Sequence, residues 1–300
     1  MILLLALACG PGHQDAPKDK AGAPAADAKA SMIQNKGSDT MVNLAQAWAE
    51  EYHKIHPTVA VAVSGGGSGT GIAALENNTV DIANASRELK AEEKEKIKAA
   101  SGKEPVEHTV AYDAIAIYVH KDNPMAKITK AQLAAVYGEG GTTEKWADLG
   151  VTVPGCSDGS IVRISRQNNS GTYEFFREWT LGKGDLKLGS RDMQGSKDVV
   201  DAVEHTPCAI GYSGMGYKTP EVRFVPVAVD EAGAGVEPSI DAVHDKSYPI
   251  SRGLYMDTAG EVSGEAARYL QWIQSAAGQS VVEASGMVPL PAAEQKPAPN

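Results

Sequence analysis

The sequence predicts an α/β protein built on open, largely parallel sheets. Three observations carry that expectation. Short apolar or β-branched runs recur, each followed by a polar turn and then a stretch with helical periodicity, which is the pattern of βα units. The run Val59-Ala60-Val61-Ala62-Val63 has no polar member, as expected of a strand covered on both faces, and such strands belong to parallel sheets. With 300 residues, 42% of them apolar, the chain is long enough for two domains with cores of their own.

The elements follow in order. Ile33 to Lys36 reads as a short strand, and Met41, Leu44, Ala45, Trp48, Tyr52 and Ile55 form the apolar stripe of the helix after it. Pro57 ends that helix. The strand from Val59 to Val63 runs into Ser64-Gly65-Gly66-Gly67-Ser68-Gly69-Thr70-Gly71 and a short helix over 72–77. Gly69, Gly71 and Ala74 match a loose dinucleotide fingerprint, but so short a helix does not suit the βαβ unit that fingerprint needs. Val80 to Ala85 is the next strand, and a helix spans about 91–100. Tyr112 to Val119 is an alternating strand. Lys130 to Tyr137 is a helix stopped by Gly138.

Ile161 to Ser165 is a strand, and Tyr173 to Trp179 reads as a helix with an aromatic inner face. Ser196 to His205 is a helix, Cys208 to Tyr212 a strand, and Val222 to Val227 a strand that tolerates Pro226 at an edge. Tyr248 to Tyr255 is a further strand. Gly264 to Ala277 and Ser280 to Ala284 close the chain as helices.

The segment from Arg166 to Thr172 joins a strand to a helix. The first amides of a helix have no acceptor within it, and the helix dipole adds partial positive charge there. Ser170 and Thr172 flank Gly171, which admits an anion close to the backbone, and Arg166 can supply a charged fork. Alone, the segment reads equally as a capped helix with a surface arginine. Three further strand ends carry the same chemistry, however: Ser38-Asp39-Thr40, Ser68 with Thr70, and Ser86-Arg87. Ligands of open α/β sheets bind at the carboxyl ends of strands, so four hydroxyl-bearing ends favour a shared oxyanion site.

The chain has 28 basic and 38 acidic residues, a net charge of −10. That argues against nucleic acid and anionic membrane surfaces as partners, and it requires local geometry to capture any anion. Ile2 to Ala8 is apolar and precedes Cys9, resembling a bacterial lipoprotein signal in which Cys9 takes the lipid; the Ala-, Pro-, Asp- and Lys-rich stretch that follows reads as a tether. Cys156 and Cys208 are either a disulfide of an oxidising compartment or two buried thiols. No metal site and no cofactor is expected: His53 and His56 share a helix end without an acidic cluster beside them.

Gly37-Ser38-Asp39-Thr40-Met41, Gly67-Ser68-Gly69-Thr70-Gly71, Asp81 to Arg87, Arg166 followed by Ser170-Gly171-Thr172, Ala209 to Tyr212 and Tyr248 to Arg252 together make the chain similar to the phosphate-binding proteins of bacterial ABC importers. The resemblance runs from about Ile33 to Pro289. It implies a type II periplasmic-binding-protein fold, two α/β lobes joined by two hinge strands with ligand in the cleft. One lobe would hold 32–113 plus 251–291 and the other 114–250, with hinges near Tyr112–Ala116 and Tyr248–Arg252. Residues 1–31 would be lipoprotein signal and tether, and 292–300 a disordered tail. The resemblance places Ser38, Thr40, the Met41 backbone and Ser68 on phosphate from the first lobe, and Arg166, Ser170, Gly171 and Thr172 from the second; Ser86, at its own hydroxyl-bearing strand end, is expected to join them.

Many members of that family carry aspartate where this chain has Arg87, and threonine where it has Asp39. Asp39 is therefore expected to supply the missing carboxylate, accepting the proton that phosphate keeps near pH 7 and sulfate lacks. Arg87 would add charge or pair with Asp39; the alternative is Asp39 as a plain helix N-cap with Arg87 on the surface. The expected partners are inorganic phosphate and the permease subunits of an ABC transporter, with no nucleic acid and with membrane contact only through the lipid anchor. The expected form is a monomer in the periplasm or at the cell-envelope surface. Rival readings are another oxyanion (molybdate, tungstate or sulfate) on the same fold, a phosphate-handling hydrolase, or a lipid-anchored adhesin or sensor.

Overall fold

The computed structural model describes residues 31–182 and 184–299. The expected signal, the lipidation site Cys9 and nearly all of the tether lie outside the described residues. The first half of the chain forms β1 (Ser31–Gly37), α1 (Val42–Ile55), β2 (Val59–Ser64), α2 (Ser68–Glu76), β3 (Ile82–Ala85), α3 (Ala91–Ser101), β4 (Val106–His120), β5 (Ile128–Thr129) and α4 (Lys130–Tyr137). There follow β6 (Val162–Arg166), α5 (Gly171–Leu181), β7 (Arg191–Met193), α6 (Ser196–Glu204), β8 (Ala209–Gly214), β9 (Val222–Val225), β10 (Val227–Ala228) and α7 (Ile240–His244). β11 (Ser251–Thr258), α8 (Gly264–Ile273) and α9 (Ala276–Ala284) complete the order.

Nine strands form a mixed sheet in the order β2-β1-β3-β11-β4-β8-β6-β7, with β9 also on β4. The outer parts are parallel: β1 with β2 and β3, and β6 with β7 and β8. The two long central strands run antiparallel. β4 is shared. Its residues up to Ala114 pair with β11, and from Ile115 onward it pairs with β8 and β9. The pairing partner therefore changes within one strand, and the sheet divides there into two halves. Ile250 accepts from the Ile115 amide at 2.8 Å, so the second chain crossing lies beside the first.

Each half-sheet is covered on both faces. In the first lobe α1, α8 and α9 supply Leu44, Trp48, Tyr52, Leu270 and Val282 to one face, while α2 and α3 supply Ile72, Leu75 and Ile97 to the other. In the second lobe the alternation of β4 divides its side chains. Ile115, Ile117 and Val119 join the core beneath Leu133, Tyr137 and Phe176, whereas Ala116 and Tyr118 join Val199, Val200 and Val203 of α6. This is the period-two rule of a strand between two helical layers.

Three expectations need correcting. β2 is parallel, but it is the outermost strand and leaves Ala60 and Ala62 exposed; small alanines, not two-sided burial, made it look apolar throughout. The helix read over 264–277 ends at Ile273, and a new one starts after Ser275. The tail is not loose as far as it is described. Lys296 donates its amide to Gln274, Pro297 accepts from Gln271, and Glu294 accepts from Tyr112 at 2.8 Å. It begins in a turn, closed by the Glu294 amide donating to the Pro291 carbonyl at 2.8 Å.

Candidate functional site

Four helices begin at the cleft, each just after a strand: α1 after β1, α2 after β2, α5 after β6 and α6 after β7. Their first-turn amides are therefore gathered in one place, with the positive ends of four dipoles. Gly67, at φ 91°, sits immediately before α2. A Cβ there would lie 2.6 Å from the Asn169 carbonyl oxygen, so only glycine allows the two lobes to approach at this turn.

Hydroxyls line the same place. Ser38 Oγ donates to Ser86 Oγ at 2.9 Å, and Ser68 Oγ lies 3.3 Å from Ser86 Oγ. Thr40 Oγ1 is 2.8 Å from Thr172 Oγ1 and 3.3 Å from Ser196 Oγ, pairs that join the two lobes. All of these residues are buried. Ser170 Oγ accepts from the Thr172 amide at 3.2 Å, capping α5. Gly171 fits beneath Ser68 and Ser86, and a Cβ on it would lie 2.5 and 2.7 Å from their Oγ atoms.

Arg166 supplies the charge. Its Nη1 donates to Ser196 Oγ at 2.9 Å, while Nε and Nη2 donate to the Gln194 carbonyl at 3.0 and 2.6 Å. The guanidinium is buried, and burial pulls its pKa down, with the Asp39 carboxylate opposing that shift and Arg252 adding to it. Asp39 Oδ2, at 3.9 Å, is the only carboxylate oxygen within 4.0 Å of it among the described residues. A buried cation compensated so loosely favours an anion beside it. Asp39 Oδ1 also accepts from the Gly66 amide at 3.0 Å, tying the turn after β1 to the turn after β2.

Two of the expected site residues are placed otherwise. Arg87 neither reaches the hydroxyls nor pairs with Asp39. Its Nη1 and Nη2 hold Glu93, and its Nε meets Glu174. Glu93 stands in the first turn of α3, within reach of Arg87, and that proximity decides where the guanidinium goes. The Met41 amide donates to the Ser38 carbonyl at 3.0 Å, and the Met41 side chain is in the first-lobe core.

Three residues were missed. Ser196 opens a fifth strand-to-helix turn with the same hydroxyl chemistry, a signal present in the sequence. Arg252 and Asp113 form a buried ion pair at 2.8 Å where the two chain crossings meet. Arg252 also donates to the Ser86 carbonyl and to Thr172 Oγ1, both at 2.9 Å, so it touches both lobes. Burial raises the pKa of Asp113 although Arg252 works against the shift.

Cys156 and Cys208 are joined in the second lobe, with Cα atoms 5.0 Å apart. Among the described residues the one group of three potential metal ligands is Cys156, Asp158 and Cys208, and both of its sulfurs are in that bond. His53 Nδ1 is held 2.9 Å from the Val59 carbonyl. No histidine hydrogen-bonds to the clustered hydroxyls among the described residues.

Two α/β lobes closing over hydroxyls, helix N-termini and a buried guanidinium define a two-lobed solute-binding protein with an oxyanion cleft. A model of the PBP superfamily domain matches residues 20–277. The Phosphate-binding protein PstS of Pseudomonas aeruginosa is 36% identical over 270 residues, covering 87% of this chain and 83% of that protein. The protein of the same name from Bacillus subtilis is 29% identical over 96% of this chain and 91% of its own length. A phosphate ABC transporter substrate-binding protein from Clostridium perfringens, solved with bound phosphate, superposes with a TM-score of 0.76 at 30% identity, over 87% of this chain and all of that one. The chain belongs to the PstS-like family of phosphate-binding proteins.

Proposed function

We propose that this protein binds inorganic phosphate outside the cytoplasmic membrane and delivers it to an ABC importer. The observation that carries this reading is the convergence of Thr40, Thr172 and Ser196 from two lobes within 3.3 Å, beside a buried and loosely compensated Arg166. Hydroxyls and backbone amides can satisfy every oxygen of a tetrahedral anion, and one guanidinium adds charge-assisted bonds. Ser38, Asp39, Thr40, Ser68 and Ser86 would act from the first lobe, with Arg166, Ser170, Gly171, Thr172 and Ser196 from the second. Donors on both sides make the ligand favour the closed form.

The lobes divide as 32–113 with 251–291, and 114–250; the change of pairing partner along β4 supports that division. The protein acts as a monomeric carrier, not a catalyst, and hands its ligand to permease subunits that recognise the closed surface. Lipid on Cys9 would hold it at the membrane. Among the described residues no helix is long and apolar enough to cross a bilayer.

Titration calorimetry with phosphate, sulfate, molybdate and tungstate tests the reading, with thermal unfolding alongside. Phosphate at about 100 times its Kd should add about 2.7 kcal/mol of apparent stability. Arg166→Ala should abolish measurable phosphate binding. A preference for another anion, or micromolar phosphate affinity without Arg166, would overturn it.

A further inference from the structure

The Arg87 side chain stands at the meeting of the lobes and outside the hydroxyl cluster. Glu93 holds it from within the first lobe through two hydrogen bonds, at 2.7 and 2.6 Å. The carboxylate of Glu174 reaches it from α5, in the second lobe. Lys90, again of the first lobe, takes the other oxygen of Glu174 at 2.5 Å. Glu174 thus bridges two cations across the cleft, one through each oxygen. Arg87 is only 9% exposed and Glu174 24%, so the Arg87 limb is better shielded than an ordinary surface pair, whereas Lys90, 43% exposed, forms a solvent-screened limb.

The groups on the two sides are unequal. Glu93 would keep Arg87 compensated and pointing outward when the lobes part, since both residues move together. The Arg87 nitrogens are therefore pre-set for Glu174, and little side-chain freedom is lost when it arrives. A second strap lies beside Gly66 and Gly69: Asn169 donates to the Gly66 carbonyl at 2.9 Å and accepts from the Gly69 amide at 3.1 Å. That strap is neutral. Among the described residues, only the Glu174 bridge makes closure depend on ionic strength through groups outside the hydroxyl cluster.

We propose that Glu174, with Arg87 and Lys90, is a closure latch: an ion bridge between the lobes that sets how long the anion stays bound. It rests on the reading of the cleft as a phosphate site. The three side chains are positioning residues, and the latch acts on the closed state, so it slows release more than it speeds capture.

The test uses stopped-flow phosphate release from the wild-type protein and from Glu174→Gln, Lys90→Met and the double variant, at several sodium chloride concentrations. Glu174→Gln should raise the dissociation rate about three- to tenfold. Release from the wild type should quicken with salt toward the variant's rate, and the variant's salt dependence should be shallower. Lys90→Met should show a smaller effect that is lost once Glu174 is gone. A merely structural role would change thermal stability without changing the salt slope of release. Unchanged release rates and slopes in Glu174→Gln would overturn the latch. Arg166→Ala in the same series separates the two claims: if that variant still binds phosphate normally, it is the site assignment that fails.

Discussion

Arg252 on β11 and Asp113 on β4 are joined at 2.8 Å in the fully buried strip where the two lobes share their strands. The pair is more than a hinge fastening. Through Arg252 it also reaches Ser86 in the first lobe and Thr172 in the second. The strand crossing and the candidate anion site are therefore parts of one hydrogen-bonded network, and a change at the crossing is felt at the hydroxyls.

Arg252→Met should cost about 3–5 kcal/mol in urea unfolding, because it leaves Asp113 buried without its counter-charge. Burial already raises the Asp113 pKa. An acid whose folded pKa lies above its unfolded value destabilises the fold increasingly as pH rises past the unfolded value. The loss in Arg252→Met should therefore grow with pH. Adding Asp113→Asn should recover part of it, and no recovery in the double variant would argue that the arginine acts through packing.

Gly171→Ala is the sharpest probe of closure. The glycine has an ordinary negative φ, so alanine suits its backbone in the isolated lobe. Yet the added methyl would meet Ser68 and Ser86 of the opposite lobe at 2.5 and 2.7 Å. Overpacking of that kind costs about 1–3 kcal/mol, which weakens phosphate binding about 5- to 150-fold if closure bears the whole of it. Circular dichroism should be unchanged. Full affinity in this variant would show that the lobes need not meet at Gly171.

Asp39→Asn tests anion choice. Its carboxylate is near Arg166 and is fixed by the Gly66 amide. A carboxylate there accepts from protonated phosphate and repels sulfate. With asparagine, the preference for phosphate over sulfate should fall by about tenfold or more, the scale of one hydrogen bond to a charged group. Competition calorimetry reads the ratio directly. An unchanged ratio would leave Asp39 as a brace for the glycine turn.

The parts legible in the sequence were the local ones. A strand, a hydroxyl and a helix start are neighbours in the chain, so Ser38, Thr40, Ser68 and Ser170 could be read from their own surroundings. Ser196 obeyed the same pattern and was passed over only because its strand, β7, has three residues. The Arg252–Asp113 pair joins positions 139 apart, and no local pattern announces it. Arg87 shows the opposite failure. Its backbone place was read correctly, but two glutamates, one of them from the other lobe, decide where its long side chain points.

The disulfide closes a loop of 52 residues between Cys156 and Cys208. Chain-entropy arguments put such a crosslink at about 4 kcal/mol, with measured losses of about 2–5 kcal/mol. Both cysteines lie away from the hydroxyl cluster. Cys156→Ser with Cys208→Ser, or reduction with dithiothreitol, should thus lower the unfolding temperature while phosphate affinity at 25 °C stays within about twofold. A large loss of affinity would mean that the second lobe depends on the bond for its shape.

Asp257 gives the clearest pH signature. It is fully buried on β11, and neither carboxylate oxygen has a hydrogen-bond partner among the described residues. Burial raises its pKa well above the ordinary value, Glu107 across the strand pair raises it further, and Arg87 and Lys94 oppose the shift. Below the unfolded pKa both states hold the proton and the residue is neutral in its effect. As pH rises beyond that point the unfolded chain releases the proton first, and the fold loses stability until the folded pKa is passed. Asp257→Asn removes that burden. The variant should melt higher than the wild type at pH 7–8, and the gap should close as pH falls toward about 4. A constant gap, or a variant that melts lower at pH 8, would show that Asp257 is ionised in the folded protein and stabilised there by Arg87 and Lys94.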